Sequence, residues 1–243
     1  MSDPLLIELF TEELPPGALQ KMAVAFAQSV ARQLRARGLT NEQPASAPQV
    51  HCTPRRLAFI LESVEAVAPA RQLQVKGPSV AVALDAQGQP TKALQKWAEK
   101  QGAALDALTR ASDGKQECFY YASVAPGAEL ATIIQAVVEE ALGALPIPKL
   151  MTYQLADGVT TVSFARPAHR LTVLHGNHVL ACQVLGLTAD RVTEGHRFLA
   201  SGVLRIESPH SYERQLKEQG RVVSSFEARR RLIAEALQAH SRE

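Results

Sequence analysis

The chain has 243 residues, 46% of them hydrophobic, and its 26 Lys and Arg against 24 Asp and Glu leave a net charge of +2. That length supports one large domain or two small ones, and no apolar run is long enough to span a bilayer. So balanced a charge lacks the basic excess of a self-sufficient nucleic-acid binder, and Met1-Ser2-Asp3-Pro4 opens no secretory leader, so a cytoplasmic location is expected.

Residues 5–10, rich in Leu and Ile, read as a buried or half-buried strand. Pro15 and Pro16 suit the first turn of a helix, where the missing N–H would have had no partner. Leu19, Met22, Ala23, Phe26, Val30 and Leu34 then recur at helical spacing until Gly38. Residues 39–48, polar and proline-bearing, read as a loop. Residues 49–53 and 57–67 read as two strands joined through Pro54-Arg55-Arg56. The second alternates in part, Leu57, Phe59 and Leu61 against Ala58, Ile60 and Glu62, as a sheet with one solvated face would. Residues 72–75 add a short strand before the Gly77-Pro78 turn. Residues 85–90 form a turn cluster, and Thr91 caps a helix carrying Leu94, Trp97 and Ala98, with Lys92, Lys96 and Lys100 as its solvated side.

Residues 116–124 read as a strand. Leu130, Ile133, Ile134, Val137, Val138, Ala141, Leu142 and Leu145 make an amphipathic helix that needs a sheet to lie on. Pro146 and Pro148 end it and place a boundary between lobes at 1–148 and 149–243. The second lobe reads as strands at 160–164, 170–175, 178–185 and 203–206, with Gly176-Asn177 as a hairpin turn. Helices follow at 208–219 and 224–240, the last opened by a capping box of Ser224 and Glu227. The expected fold class is α+β, with mixed or antiparallel sheets and helices packed on one face, in two lobes.

Motifs of bond-making chemistry are missing: there is no Gly-rich phosphate loop, no Gly-x-Ser-x-Gly elbow and no His-Glu-x-x-His. Cys52, Cys118 and Cys182 are odd in number and widely spaced, and read as buried or semi-buried thiols in a reducing compartment. His175 and His178 flank the hairpin turn, but without a third ligand they read as surface histidines and not a metal site. Glu12 and Glu13 read as carboxylates at a helix's positive end, since adjacent side chains diverge too far for paired acid–base work. Arg55-Arg56 has two readings: a planar fork for RNA phosphate or a neighbouring subunit, or a structural pairing with Glu62 or Glu65. The segments 166–169 and 195–198 place polar groups in apolar surroundings, either as ties between loops and sheet or as a surface patch. From Arg191 onward bases outnumber acids, through Arg197, Arg205, Arg214, Lys217, Arg221, Arg229-Arg230-Arg231 and Arg242. This end meets RNA phosphate or is a solvated face.

The segment Thr11-Glu12-Glu13-Leu14-Pro15-Pro16-Gly17-Ala18-Leu19, behind its apolar strand, resembles the opening of the beta subunit of bacterial tetrameric glycyl-tRNA synthetase. Collinear pieces extend the resemblance along the chain. They are Thr53-Pro54-Arg55-Arg56-Leu57-Ala58, Lys76-Gly77-Pro78, residues 88–93, Leu145-Pro146-Ile147-Pro148-Lys149-Leu150-Met151, Phe164-Ala165-Arg166-Pro167-Ala168-His169 and Gly195-His196-Arg197-Phe198. The chain departs from the family pattern at Phe10, where Gly is usual. It departs again at Thr152-Tyr153-Gln154, where Arg-Trp-Gly is usual, and at Ala165 and Ala168, where valines are usual.

The resemblance implies a glycine–tRNA ligase beta subunit that joins a catalytic alpha subunit and tRNA(Gly) in an alpha2-beta2 tetramer. ATP, magnesium and the glycyl-adenylate would belong to the alpha subunit, so no cofactor and no catalytic residue is expected in this chain. It also implies a longer protein, because the family's HD-type and anticodon-binding domains have no counterpart in this sequence. The alternative is a standalone RNA-binding or assembly module derived from the synthetase. The residues expected to touch tRNA or a neighbouring subunit are Arg55, Arg56, Lys149, Arg166, His169, His196, Arg197, Arg229 and Arg230. Joint replacement of Arg55 and Arg56 by Ala is expected to weaken tRNA binding or assembly without unfolding.

Overall fold

A computed structural model describes residues 2–40, 47–85, 87–112, 114 and 116–240. Most of the loop expected at 39–48 lies outside the described residues. The chain forms two compact units, residues 1–68 with 128–243, and residues 69–127 between them in sequence. The first unit opens with β1 (Ser2–Thr11), α1 (Pro16–Ala36), β2 (Gln49–Thr53) and β3 (Arg56–Glu65). The intervening unit holds β4 (Arg71–Ser79), α2 (Val80–Ala83), α3 (Lys92–Gln101), β5 (Leu108–Ser112) and β6 (Glu117–Ala125). The first unit resumes with α4 (Leu130–Gly143), β7 (Met151–Gln154), β8 (Thr161–Phe164), β9 (Ala168–His175), β10 (His178–Val179) and β11 (Gln183–Val184). It closes with β12 (Leu187–Asp190), β13 (Val192–Glu194), β14 (Val203–Arg205), α5 (Tyr212–Glu218) and α6 (Phe226–His240). The class is α+β, as the residue pattern predicts. No helix among the described residues is long and apolar enough to cross a membrane.

The main sheet runs β11-β12-β9-β1-β3-β2, with β10 on β9. β1 lies at its centre, antiparallel to both neighbours, so that Ile7 faces Phe59 on one side and Val173 on the other. A central strand covered on both faces needs apolar residues at every position, which is why residues 5–10 form a nearly unbroken run. Leu5, Ile7 and Leu9 join α1 and α4 in the larger core, where Phe26 meets Phe59 edge to face at 5.2 Å. The opposite face carries Leu6, Ala58 and Ile60 against Leu204, Ile206, Tyr212 and Leu216. The alternation in β3 therefore does not mark a solvated face: Ala58 and Ile60 are buried, and only from Glu62 does that side meet water.

The expected boundary after residue 148 does not coincide with the compact units. β9, from beyond it, is hydrogen-bonded to β1 over seven register pairs from Leu5 to Thr11, a pairing that independent lobes could not share. The chain instead leaves and re-enters the first unit at one place, where Ala68 donates to Ala128 at 2.8 Å and Leu130 to Ala66 at 2.8 Å. The last helix also starts one residue later than its expected cap. Ser225 Oγ accepts from the Ala228 amide at 3.2 Å. Ser224 is buried, its carbonyl accepting from Cys52 at the edge of β2.

In the intervening unit, β6 is the middle of the three-stranded sheet β4-β6-β5. Its core is Ala83, Leu94 and Phe119, with Trp97 and Leu108 beside them. Gly77 is required here because a Cβ would meet the Trp97 ring at 2.9 Å. Thr91 does not cap α3 with its side chain: its hydroxyl donates to the carbonyls of Val82 at 2.8 Å and Ala83 at 3.2 Å, tying α3 to α2.

Candidate functional site

Four segments remote in sequence meet at the end of β1. Backbone bonds fix three of them: Thr11 N–H donates to Arg55 O at 2.9 Å, Leu14 N–H to Pro54 O at 2.6 Å and Glu12 N–H to Pro167 O at 2.9 Å. Side chains then converge on Glu12. Arg55 reaches its carboxylate at 3.3 Å, His169 Nε2 lies 2.9 Å away, and Arg197 arrives from the fourth segment at 3.1 Å. Arg197 also meets Glu13 at 3.4 Å. The His169 contact, with the charges of Arg55 and Arg197, holds the Glu12 carboxyl below its ordinary range against partial burial. Glu12 and Glu13 are thus knotted into the sheet end, where the sequence suggested helix-end carboxylates. Phe10 is 1% exposed and lies under both arginines, 4.7 Å from the Arg55 guanidinium and 5.2 Å from that of Arg56.

A second cluster lies inside. Glu8 and Arg56 are 0% and 1% exposed. The Arg56 Nε–H donates to Glu8 at 2.8 Å, and its Nη2 donates to the Thr193 hydroxyl at 3.2 Å and to the Glu194 carbonyl. Thr193 and Tyr212 hydroxyls both donate to Glu8. Burial opposes the Arg56 charge, but Glu8 and the other partners outweigh it and raise its pKa. Burial and Glu8 likewise raise that of Tyr212, which stays protonated. Arg56 therefore leaves the set of surface contacts. Neither arginine pairs with Glu62 or Glu65, since their partners are Glu12 and Glu8. Their joint removal would unpair a buried acid and cost folding stability, contrary to the expectation that the double replacement is benign.

Beside the knot opens a cleft of about 370 Å³, lined by Phe10, Glu13, residues 53–56, residues 195–198 and residues 221–223, with Arg229. Two loops cross closely beside it. His196 N–H donates to Gly220 O at 2.7 Å, and a Cβ on Gly195 would stand 2.6 Å from that same oxygen. The His196 Nδ1 accepts from the amides of Phe198 and Leu199, each at 3.2 Å, which places the ring proton on Nε2. Phe198 is 82% exposed. Arg229 donates to Val223 O at 2.8 Å and so fixes the 221–225 loop.

Of the residues expected to make contacts, Arg55, His196, Arg197 and Arg229 line this cleft, Arg56 borders it with only 1% of its surface exposed, and His169 lines an adjoining recess with Arg55 and Glu12. Arg166 is turned to Ala165 O at 2.8 Å and Met151 Sδ at 3.2 Å, a structural tie. Lys149 is exposed on the turn between α4 and β7, and Arg230 pairs with Glu227 on the exposed side of α6. Arg221 and Arg170 were missed as individual sites. Arg170 pairs with Glu194 at 2.9 Å, and Arg221 signals itself only by its place in the basic end. His175 is buried, with its Nε2 2.7 Å from Val64 O, and is not the surface histidine expected. All three cysteines are buried thiols outside any disulfide, and burial pushes the Cys182 thiol up to about 11.

The sequence profile described as Glycyl-tRNA synthetase beta subunit matches residues 5–243. The chain is 48% identical over 240 residues to the glycine–tRNA ligase beta subunit of Acidovorax ebreus (strain TPSY), covering 97% of this chain and 33% of that protein. It is 46% identical over 245 residues to that of Leptothrix cholodnii, covering 98% and 34%. With that of Neisseria meningitidis serogroup C it shares 41% over 242 residues, covering 100% and 34%. The chain thus spans about a third of the length of these curated relatives.

Proposed function

The chain belongs to the glycyl-tRNA synthetase beta subunit family, and on that premise we propose that it supplies contacts for tRNA(Gly) and for an alpha subunit, and makes no bonds itself. In this reading the alpha subunit holds ATP and magnesium, forms the glycyl-adenylate and transfers glycine, within an alpha2-beta2 tetramer. The observation that carries the proposal is the gathering of the 11–14, 53–56, 166–169 and 195–198 segments around Glu12. Those segments serve one locus, and that locus presents arginines and an exposed aromatic ring beside an open cleft. Such a lining suits binding. The histidine–serine pair His51 with Ser224 is buried away from solvent, which argues against its serving nucleophilic chemistry.

Filter binding of tRNA(Gly) across a salt series, with co-purification of the alpha subunit, tests the proposal. Affinity falling linearly in log–log form with salt supports phosphate contacts. Adenylate formation by this chain alone, or neither tRNA nor alpha-subunit binding at low salt, overturns it.

A further inference from the structure

The cleft beside Phe198 is the size of one small ligand unit, not of a nucleic-acid helix. Its volume of about 370 Å³ lies at the small end of ligand sites. Part of the lining is the loop 195–198, pinned by the Gly195–Gly220 crossing and by the two amides on His196. That loop holds the Phe198 ring out to solvent, with the His196 ring tilted beside it at 6.2 Å.

The cations of the cleft are not equivalent. Arg55 and Arg197 are balanced by Glu12 and Glu13, and Arg229 is engaged by loop carbonyls. Arg221 lines the same cleft, is exposed, and has no ion-pair or hydrogen-bond partner among the described residues. Its backbone is left-handed at φ 56°, a conformation that the surrounding structure must impose. A hydrophobic protein side chain would be satisfied by the ring alone. A guanidinium in the same small cleft adds the demand for an anion, and a nucleotide is a ligand that joins a flat face to an anionic group.

We propose that this cleft takes an unpaired nucleotide of RNA, its base against Phe198 and its phosphate on Arg221. The proposal rests on the RNA-binding reading above and narrows it to single-stranded RNA. Stacking accepts any base, whereas a duplex keeps its bases covered.

The test measures binding of oligouridylate, a blunt RNA duplex and tRNA(Gly) to the 243-residue chain and to its Phe198→Ala and Arg221→Ala variants over a salt series. Both side chains are exposed, and thermal unfolding checks that the variants fold. Oligouridylate should bind more tightly than the duplex. Phe198→Ala should weaken it about 5- to 150-fold with the salt slope unchanged, since stacking is worth about 1–3 kcal/mol per base. Arg221→Ala should flatten the log–log slope by about 0.7, one single-strand phosphate. If tRNA binds normally to both variants, or the duplex matches oligouridylate, this inference falls while the RNA-binding reading stands. If no RNA binds the unmodified chain, that reading falls with it. If Phe198→Ala spares RNA but loses the alpha subunit, the ring is a protein contact and the inference is overturned.

Discussion

Glu8 and Glu12 lie four residues apart in sequence, and each takes one of two adjacent arginines, yet the two clusters are physically opposite. The Arg56–Glu8 side chains are 2% and 0% exposed, while Arg55 and Glu12 are 19% and 34% exposed and Arg197 is 47%. Inside, each charge has lost its water and depends wholly on its partners, so removing one leaves the other stranded. At the surface, solvent screens the same pairing to about 0–1 kcal/mol. The difference teaches where specificity of fold ends and availability for a ligand begins. The inner pair locks β1, β3, the 193 segment and α5 into one register, and the outer knot keeps its charges within reach of water.

The largest test breaks the inner pair. Arg56→Ala or Glu8→Gln should cost about 3–5 kcal/mol of folding stability in urea unfolding, against less than about 1 kcal/mol for Arg55→Ala. Equal losses for Arg55→Ala and Arg56→Ala would erase the contrast. Tyr212→Phe sharpens it: the ring stays packed on Ile206 and Leu216, but Glu8 loses one donor. The cost should be about 1–3 kcal/mol. In a double-mutant cycle Tyr212→Phe should be far from additive with Glu8→Gln and additive with Arg55→Ala.

A third test uses pH. His51 lies against Tyr212 with ring centroids 5.4 Å apart, and its Nδ1 is 3.0 Å from Ser224 Oγ. Its buried Nε2 has no partner among the described residues. Burial lowers its pKa below the ordinary 6.5 despite the opposing pull of Glu213 and Glu8. The folded protein therefore refuses a proton that the unfolded chain accepts. Stability should decline as pH falls below 6.5, by at most about 1.4 kcal/mol per pH unit. The decline should stop once the lowered pKa is passed, and His51→Gln should flatten it below pH 6.5. A slope in that window unchanged by the variant would point to another group.

Much of this was legible in the chain itself. The helical spacing from Leu19 to Leu34 and from Leu130 to Leu142 marked α1 and α4, because a helix packed on a sheet must repeat its apolar face. The family resemblance marked the motif segments, but not their meeting around Glu12, since β1 pairs with β3 and β9 over separations from 46 residues (Phe10 with Arg56) to 170 (Leu5 with His175) that no local pattern encodes. Arg55 and Arg56 are chemically identical neighbours on the page. Only the pairing of Phe10 with Arg56 and the cover of Tyr212 decide which is buried. The boundary after 148 was misplaced for a related reason: Pro146 and Pro148 do stop a helix, but stopping a helix does not stop a sheet.

The smallest effect on stability belongs to Glu12→Gln, and it is also where the two clusters should diverge in sign. Partners lower the Glu12 pKa, so its contribution is present above the ordinary value of 4.5 and is lost as pH falls through the lowered one. At neutral pH the substitution should cost less than about 1 kcal/mol, because its partners remain solvated. It also releases Arg55 and Arg197 from a carboxylate and adds one positive charge beside the cleft. If the cleft meets RNA phosphate, Glu12→Gln should tighten tRNA binding a few-fold at low salt. That is on the order of the 1 kcal/mol by which charges about 4 Å apart interact in water, and the gain should vanish at high salt. Weaker binding would show instead that Glu12 aims the two guanidinium groups, and that their orientation outweighs the charge it cancels.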